Sequence, residues 1–287
     1  MKERIGIIGG SGLYAIEGIQ KVKKVSVPTP FGLPSGPLVT GELAGKEVVF
    51  LPRHGIGHRI SPSHINYRAN IFAMKKMGVG RIISVSACGS LKDELRPMDF
   101  VIVDQFVDRT NAARQMSFFG KGIVAHIEFS RPVCKDLTSI LYSCCQRLGL
   151  RAHNGGTYLN MEGPAFSTFA ESNIYRSWGM GVIGMTNMPE AKLCREAEIC
   201  YSTLAAVTDY DCWHPTHASV TLEMIIQNLQ NNIQNAKKIL LAAVDQMPEE
   251  RKCSCRNALQ FAIVTNRKVI PAKLKKELKP IIGKYIK

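Results

Sequence analysis

Thr203-Leu-Ala-Ala-Val207 leads straight into Thr208-Asp209-Tyr210-Asp211-Cys212-Trp213. An apolar run this short, with no polar interruption, reads as a buried strand. Asp209 and Asp211 lie two residues apart, so an extended chain would aim both at one side. Two carboxylates delivered by a buried strand cost free energy unless something there uses them. In open α/β sheets, ligands collect beyond the carboxyl ends of strands, and this pair sits where such a strand stops. An isolated Asp-x-Asp also serves as a cap or turn at a strand exit. The other strand ends of the chain bear on that choice.

They share a pattern. Ile5-Gly-Ile-Ile8 reads as a strand followed by Gly9-Gly10-Ser11-Gly12. A glycine turn after a strand exposes backbone N–H groups, and Ser11 adds a hydroxyl, which suits an oxyanion. Gly10-x-Gly12-x-x-Ala15 formally matches a dinucleotide fingerprint. No acidic residue lies between Glu17 and Glu42, so the ribose-binding acid is missing and the match is rejected. Strands are also expected over Val25–Phe31 and Pro34–Leu43. Glu47-Val-Val-Phe-Leu51 ends at Pro52-Arg53-His54-Gly55, where Arg53 offers a planar fork of donors and His54 another. Arg81-Ile-Ile-Ser-Val-Ser86 is expected to end at Ala87-Cys88-Gly89-Ser90, and Asp99–Val103 is the next strand. Helical spacing marks 66–77, 135–148, 171–178, 191–198 and 222–246, with 114–123 between them as an exposed loop. Gly155–Met161 leads to Glu162-Gly163-Pro164, after which Phe166 is either packed or a stacking platform for a flat ligand. Strands alternating with helices argue for an α/β protein, a mixed central sheet flanked by helices. One domain over 1–265 and a basic extension over 266–287 account for the chain.

Composition narrows the function classes. No apolar run approaches the ~18 residues of a membrane span. The apolar part of the N-terminus is too short for a signal peptide, so a cytoplasmic protein is expected. The net charge of +14 raises nucleic acid as a partner. Much of the excess lies in the tail, where Arg267, Lys268, Lys273, Lys275, Lys276, Lys279, Lys284 and Lys287 face only Glu277. No aromatic-interleaved motif accompanies them, so a solvated basic surface is expected rather than nucleic-acid binding. The nine cysteines include no Cys-x2-Cys paired with a second such unit, which argues against zinc and for no metal. Whether Cys134, Cys200, Cys253 and Cys255 are bridged stays open at this level.

Taken in order and spacing, the strand ends at Ser11, Arg53-His54, Ser86-Ala87, Glu162 to Ser167, Met185 to Glu190 and Thr208 to Asp211 resemble the trimeric class of purine nucleoside phosphorylases. More narrowly, they resemble its branch acting on S-methyl-5′-thioadenosine. The resemblance spans roughly 4 to 257, and Thr208–Trp213 and Asn66-Tyr-Arg-Ala-Asn70 are its most specific parts. It implies a single-domain nucleoside phosphorylase fold and a pentosyltransferase with no cofactor, inorganic phosphate being a co-substrate. It implies phosphate held by Ser11, Arg53, His54, Ser86, Ala87 and Thr186. Met185, Phe166, Asp209, Tyr210 and Asp211 would meet the nucleoside, with Ser167 near the base. Leu222, Ile225 and Ile226 would form the 5′-methylthio slot, with His58 close to it. His126 would reach the ligand of a neighbouring subunit, so a homotrimer or homohexamer is implied. Gly184 stands where some relatives carry Asn beside the base, and that contact would be lost.

The chemistry implied is coherent. Phosphate is already an anion, so no activated serine or cysteine is needed to attack C1′. The departing purine gathers negative charge and must be protonated, most plausibly at N7. A carboxylic acid does this only with its pKa raised by burial or a like-charged neighbour. Asp209 is the expected donor and Asp211 the residue that tunes and orients it. A carboxyl also suits adenine, because it can accept from the 6-amino group while donating to N7. The alternatives are a phosphorylase of 6-oxopurine nucleosides or methylthioinosine, a nucleoside hydrolase and, distantly, a nucleic-acid-binding protein acting through the tail.

Overall fold

Runs without polar alternation become the interior of one sheet. The elements are β1 (Arg4–Gly9), β2 (Gln20–Val25), β3 (Leu38–Leu43), β4 (Lys46–Pro52), α1 (Tyr67–Lys76), β5 (Val79–Ser90), β6 (Phe100–Ile102) and β7 (Gln105–Arg109). They continue with α2 (Lys135–Arg147), β8 (Ala152–Asn154), β9 (Thr157–Met161), α3 (Phe169–Ser177), β10 (Val182–Gly184), α4 (Asn187–Glu196), β11 (Cys200–Asp209), α5 (Leu222–Gln246), α6 (Ala272–Glu277) and α7 (Lys279–Ile282). This computed structural model describes the chain apart from residues 1, 2, 11, 12, 14, 15, 112, 113, 121, 216–221 and 287 and the side chains of 222–226. Among the described residues no helix is long and apolar enough to cross a membrane.

The strands form one mixed sheet in the order β2-β3-β4-β1-β5-β10-β9-β7, with β11 on β5, β6 on β11 and β8 on β6. Strand β5 is the hinge of this topology. Its first half pairs in parallel with β1 up to Ser84, and with β11 along Arg81 to Cys88. Its far end pairs antiparallel with β10 at Gly89 and Ser90. β1 has stopped before β10 begins, so Val85 to Cys88 have no ladder partner on that side.

Side chains alternate across the sheet and feed two cores. Ile8, Val49, Leu51 and Ile82 belong to one, with α1, α4 and α7 packed over it. Ile5, Ile7, Phe50 and Ile83 belong to the other, under α2 and α5. Local chemistry fixes the helix starts. Asn66 caps α1 by accepting from the Ala69 N–H, and Thr168 with Glu171 forms a capping box on α3.

Several expectations are corrected. The paired strands expected over Val25–Phe31 and Pro34–Leu43 are β2 and β3, displaced because the prolines at 28, 30, 34 and 37 exclude ladder positions between them. β5 does not end at Ser86 but runs on to Ser90. The segment 114–123 is not an exposed loop, since Arg114, Phe118, Phe119 and Ile123 are buried. The tail does not stand apart either. Ile270, Leu278, Ile281, Ile282 and Ile286 are buried in the same core as α1 and α4 of their own chain. The argument against zinc considered spacing along the chain alone, and the fold brings Cys134, Cys200, Cys253 and Cys255 together.

Candidate active site

The gap between β1 and β10 opens into a cavity of about 430 Å³, a size suited to a small organic ligand. Its floor is Val85, Ser86, Ala87, Cys88 and Gly89 of β5. On one side stand Gly10, after β1, and Arg53 and His54, after β4. On the other stand Thr208 and Asp209, which end β11, and Asp211 just after it. Met185 and Thr186 follow β10, Phe166 follows β9, and α5 contributes Leu229, Asn232, Ile233 and Ala236. The strand ends that sequence singled out therefore converge on one cavity.

Arg53 is only 2% exposed and its guanidinium is clamped by the protein. Nε and Nη2 donate to the two oxygens of Glu190 at 2.8 and 2.9 Å, Nη2 also to Ser84 Oγ and Nη1 to Val85 O. Burial alone would lower its pKa, but the Glu190 carboxylate outweighs that and raises it, so Arg53 stays cationic. Of its five donors one Nη1 hydrogen remains for a ligand. Glu190 was not assigned a role by sequence. Its signal was the polar residue after Met188-Pro189, which reads as an ordinary turn. Tyr201 and Ser84 complete the clamp by donating to Glu190 at 2.9 and 2.8 Å.

His54 hydrogen-bonds through Nδ1 to Ile60 O at 2.9 Å and stacks on His58, centroids 4.1 Å apart. Burial and the neighbouring Arg53 charge push its pKa down to about 4. The imidazole is therefore neutral near pH 7, with the Nδ1 proton on Ile60, and it offers Nε2 as an acceptor. Ser86 contacts the Tyr158 hydroxyl at 3.1 Å. Thr186 precedes α4 without making a side-chain capping bond, so its hydroxyl is not committed to that helix.

The Asp209 carboxylate accepts from Thr208 Oγ1 at 2.6 Å and from the Asp211 N–H at 2.8 Å. These bonds lower its pKa, yet burial, aided by the Asp211 charge, prevails and raises it. Asp211 is raised by burial as well, with the nearby Ser172 and Ser167 hydroxyls opposing that rise. The two acids do not share a side through strand alternation. β11 stops at Asp209 and Asp211 takes φ +51°, a turn that folds its N–H back onto Asp209. Gly89 is what lets them approach, since a Cβ there would stand 2.9 Å from Asp209 Oδ1. Trp213 secures this turn by donating to Ser90 O at 2.7 Å.

Other expected site residues fall differently. Tyr210 does not line the cavity. Its ring stacks on His214 at 4.5 Å and packs against Trp213, because it points away from the acids that flank it. Ser167 stands behind Asp211 rather than in the wall. Phe166 lines the mouth and is 68% exposed, so a ligand could use its face. His126 is exposed and outside its own chain's cavity. Ser11 and the side chains of Leu222, Ile225 and Ile226 lie outside the described residues. Gly184 does line the cavity, and a Cβ there would overlap the buried Tyr158 hydroxyl. Asn232, unassigned by sequence, donates to Val207 O at 2.8 Å and leaves Oδ1 buried without a partner among the described residues.

Comparison with known proteins agrees with this geometry. The phosphorylase superfamily matches residues 4–245. An S-methyl-5′-thioadenosine phosphorylase of Geobacter sulfurreducens is 57% identical over 286 residues, covering 100% of both chains. One of Koribacter versatilis is 57% identical over 99% of this chain and 97% of its own. A crystal structure of a methylthioadenosine phosphorylase from an antarctic soil metagenomic library superposes with a TM-score of 0.93 at 46% identity, over 98% of this chain and 99% of the other. The Schistosoma mansoni methylthioadenosine phosphorylase, solved with adenine, gives a TM-score of 0.85 at 35% identity, over 90% and 96% of the two chains.

Proposed function

This chain belongs to the phosphorylase superfamily, and from that membership we infer that its cavity carries out phosphorolysis of S-methyl-5′-thioadenosine to adenine and 5-methylthioribose 1-phosphate. The observation that carries the reading is a single cavity with Arg53, His54 and Thr186 on one side of β5 and a carboxyl group held towards its protonated form on the other. The reaction moves a pentosyl group from a purine nitrogen to phosphate, so a cation source and a proton source must face the sugar from different sides.

Phosphate is the nucleophile and sits with Arg53, His54, Thr186, the Ser86–Ala87 edge and Ser11. Arg53 contributes a permanent charge whose orientation Glu190 fixes. Neutral His54 accepts the O–H of hydrogen phosphate at Nε2. Positioning the anion under C1′ removes up to ~7–11 kcal/mol from the barrier at best. The sugar becomes cationic as the C1′–N9 bond breaks, and Asp209 hands its proton to N7 of the departing purine. Asp211 holds the turn that orients Asp209. Met185 meets the ribose and Phe166 covers the purine face.

Leu229 and Ile233 of α5 give the cavity an apolar wall with His58 nearby, and the family resemblance assigns the methylthio slot to Leu222, Ile225 and Ile226, whose side chains lie outside the described residues. No cofactor enters the reaction. His126 lies outside its own cavity and serves a neighbour's in a homotrimer or homohexamer. The cytoplasmic setting belongs to the same proposal, because both substrates are intracellular metabolites. The deciding experiment is a product assay with methylthioadenosine, with and without phosphate, beside inosine and adenosine. Adenine release that requires phosphate is the expected result. Release unaffected by removing phosphate means a hydrolase, and faster turnover of inosine means a 6-oxopurine enzyme.

A further inference from the structure

Four cysteines outside the nucleoside cavity form a compact group. Cys134 stands immediately before α2 and Cys200 opens β11, while Cys253 and Cys255 lie on the segment after α5. Their four Sγ atoms all lie within 4.8 Å of one another, and Cys200 Sγ is 3.2 Å from Cys253 Sγ. Cys134, Cys200 and Cys255 are buried and Cys253 is half-buried. All four are free thiols. Sulfurs bound to zinc at ~2.3 Å in a tetrahedron stand about 3.8 Å apart. A group of four within 4.8 Å has the dimensions of that tetrahedron and needs no further ligand.

The surroundings suit a negatively charged centre. Four thiolates around a divalent ion carry a formal charge of about −2. Arg251 places Nη1 3.8 Å from Cys200 Sγ, and the same guanidinium holds Glu3 at 2.6 and 2.7 Å and Glu198 O at 2.8 Å. Arg81 lines the adjoining cavity with Cys134, Cys200 and Cys253, is 5% exposed, and leaves Nη2 without a partner among the described residues. Asp136 and Glu250 line that cavity too, facing Arg81, Arg251 and Lys252. Cys134 is the residue before the first turn of α2, where backbone N–H groups favour an anionic sulfur. Cys253 and Cys255 lie beyond residue 245, where the match to the superfamily ends. None of the four lines the nucleoside cavity.

We propose that Cys134, Cys200, Cys253 and Cys255 bind one zinc ion as a closed tetrahedral tetrathiolate, which fastens the segment after α5 to the starts of α2 and β11. The site is structural, since four protein sulfurs leave no open position for substrate. Each thiol loses its proton to solvent on binding, so affinity rises with pH. A soft all-sulfur set selects zinc over magnesium or calcium.

The untagged protein, purified under reducing conditions and passed over a chelating resin, is analysed for metals. About one zinc per chain is expected. Cys253→Ser and Cys255→Ser should lose that zinc, while Cys88→Ser should keep it. Replacing zinc by cobalt in the unaltered chain should give the intense visible bands of tetrahedral cobalt thiolate, a readout independent of whether the variants fold. Stripping the metal should lower Tm. The proposal is overturned if the protein holds no stoichiometric metal while all four thiols react freely. It is equally overturned if the intact mass shows the hydrogen loss of disulfides among these cysteines.

Discussion

Asp209 shows how a single residue was legible and how far. Its type and its place at a strand end pointed to a proton donor, and its burial raises the pKa as that role requires. Asp209→Asn keeps the shape but removes the proton. Phosphorolysis of methylthioadenosine should fall by roughly 10²–10⁴-fold, with relative turnover of inosine rising, as steady-state kinetics would report. If the variant keeps full activity on methylthioadenosine, Asp209 is not the donor. Tyr210, placed against the nucleoside by resemblance alone, turns away from the cavity, because the turn at Asp211 was invisible in the sequence. Glu190 was passed over for the opposite reason. Its role exists only through Arg53, more than a hundred positions away, and no local pattern announces such a pairing. Glu190→Gln should leave a buried guanidinium without its counter-charge and cost about 3–5 kcal/mol in chemical denaturation. The KM for phosphate should rise as the Arg53 fork loses its orientation.

At the level of elements, central strands and long helices were readable from periodicity, whereas β2 and β7 were not. β2 is Gln20-Lys-Val-Lys-Lys-Val25 at the sheet's edge, exposed along nearly its whole length, so no apolar face marks it. The extension of β5 past Ser86 was hidden by its small residues, which resemble a turn but are small because the ligand cavity rests on them. α4 carries a testable charge at its far end. Glu196 is buried, accepts from Ser117 Oγ at 2.6 Å and from the Phe118 N–H at 2.7 Å, and burial lifts its pKa to about 7. The folded chain therefore holds this proton more tightly than the unfolded chain, whose value is 4.5. Its contribution to stability is complete below pH 4.5 and is lost as pH climbs to about 7. In Glu196→Gln the amide oxygen keeps the Phe118 N–H bond and Nε2 donates to Ser117 Oγ instead, and the amide does not titrate. The stability difference between variant and parent should grow by up to roughly 3 kcal/mol across that window, measured by urea melts at several pH values. A constant difference would mean that Glu196 is ionised throughout.

At the scale of the molecule, the sequence drew a boundary near residue 265 from the basic run beyond it and from a resemblance that stopped near 257, and the packing crosses it. Lys268, Lys273, Lys276, Lys279 and Lys284 of the tail are exposed, while Leu278, Ile281 and Ile282 enter the core shared with α1 and α4. Leu278→Ala should cost about 2–5 kcal/mol, as for any fully enclosed leucine, and should lower the thermal midpoint. An unchanged midpoint would show the tail to be dispensable. Removing 266–287 should leave an aggregating protein rather than an active one of lower charge. The same packing has a consequence for biosynthesis. While residues 270–286 are still inside the ribosome, a nascent chain has not presented α7, so its larger apolar interior stays open until that segment emerges. The first core must wait for the segment that carries α7 before it can close.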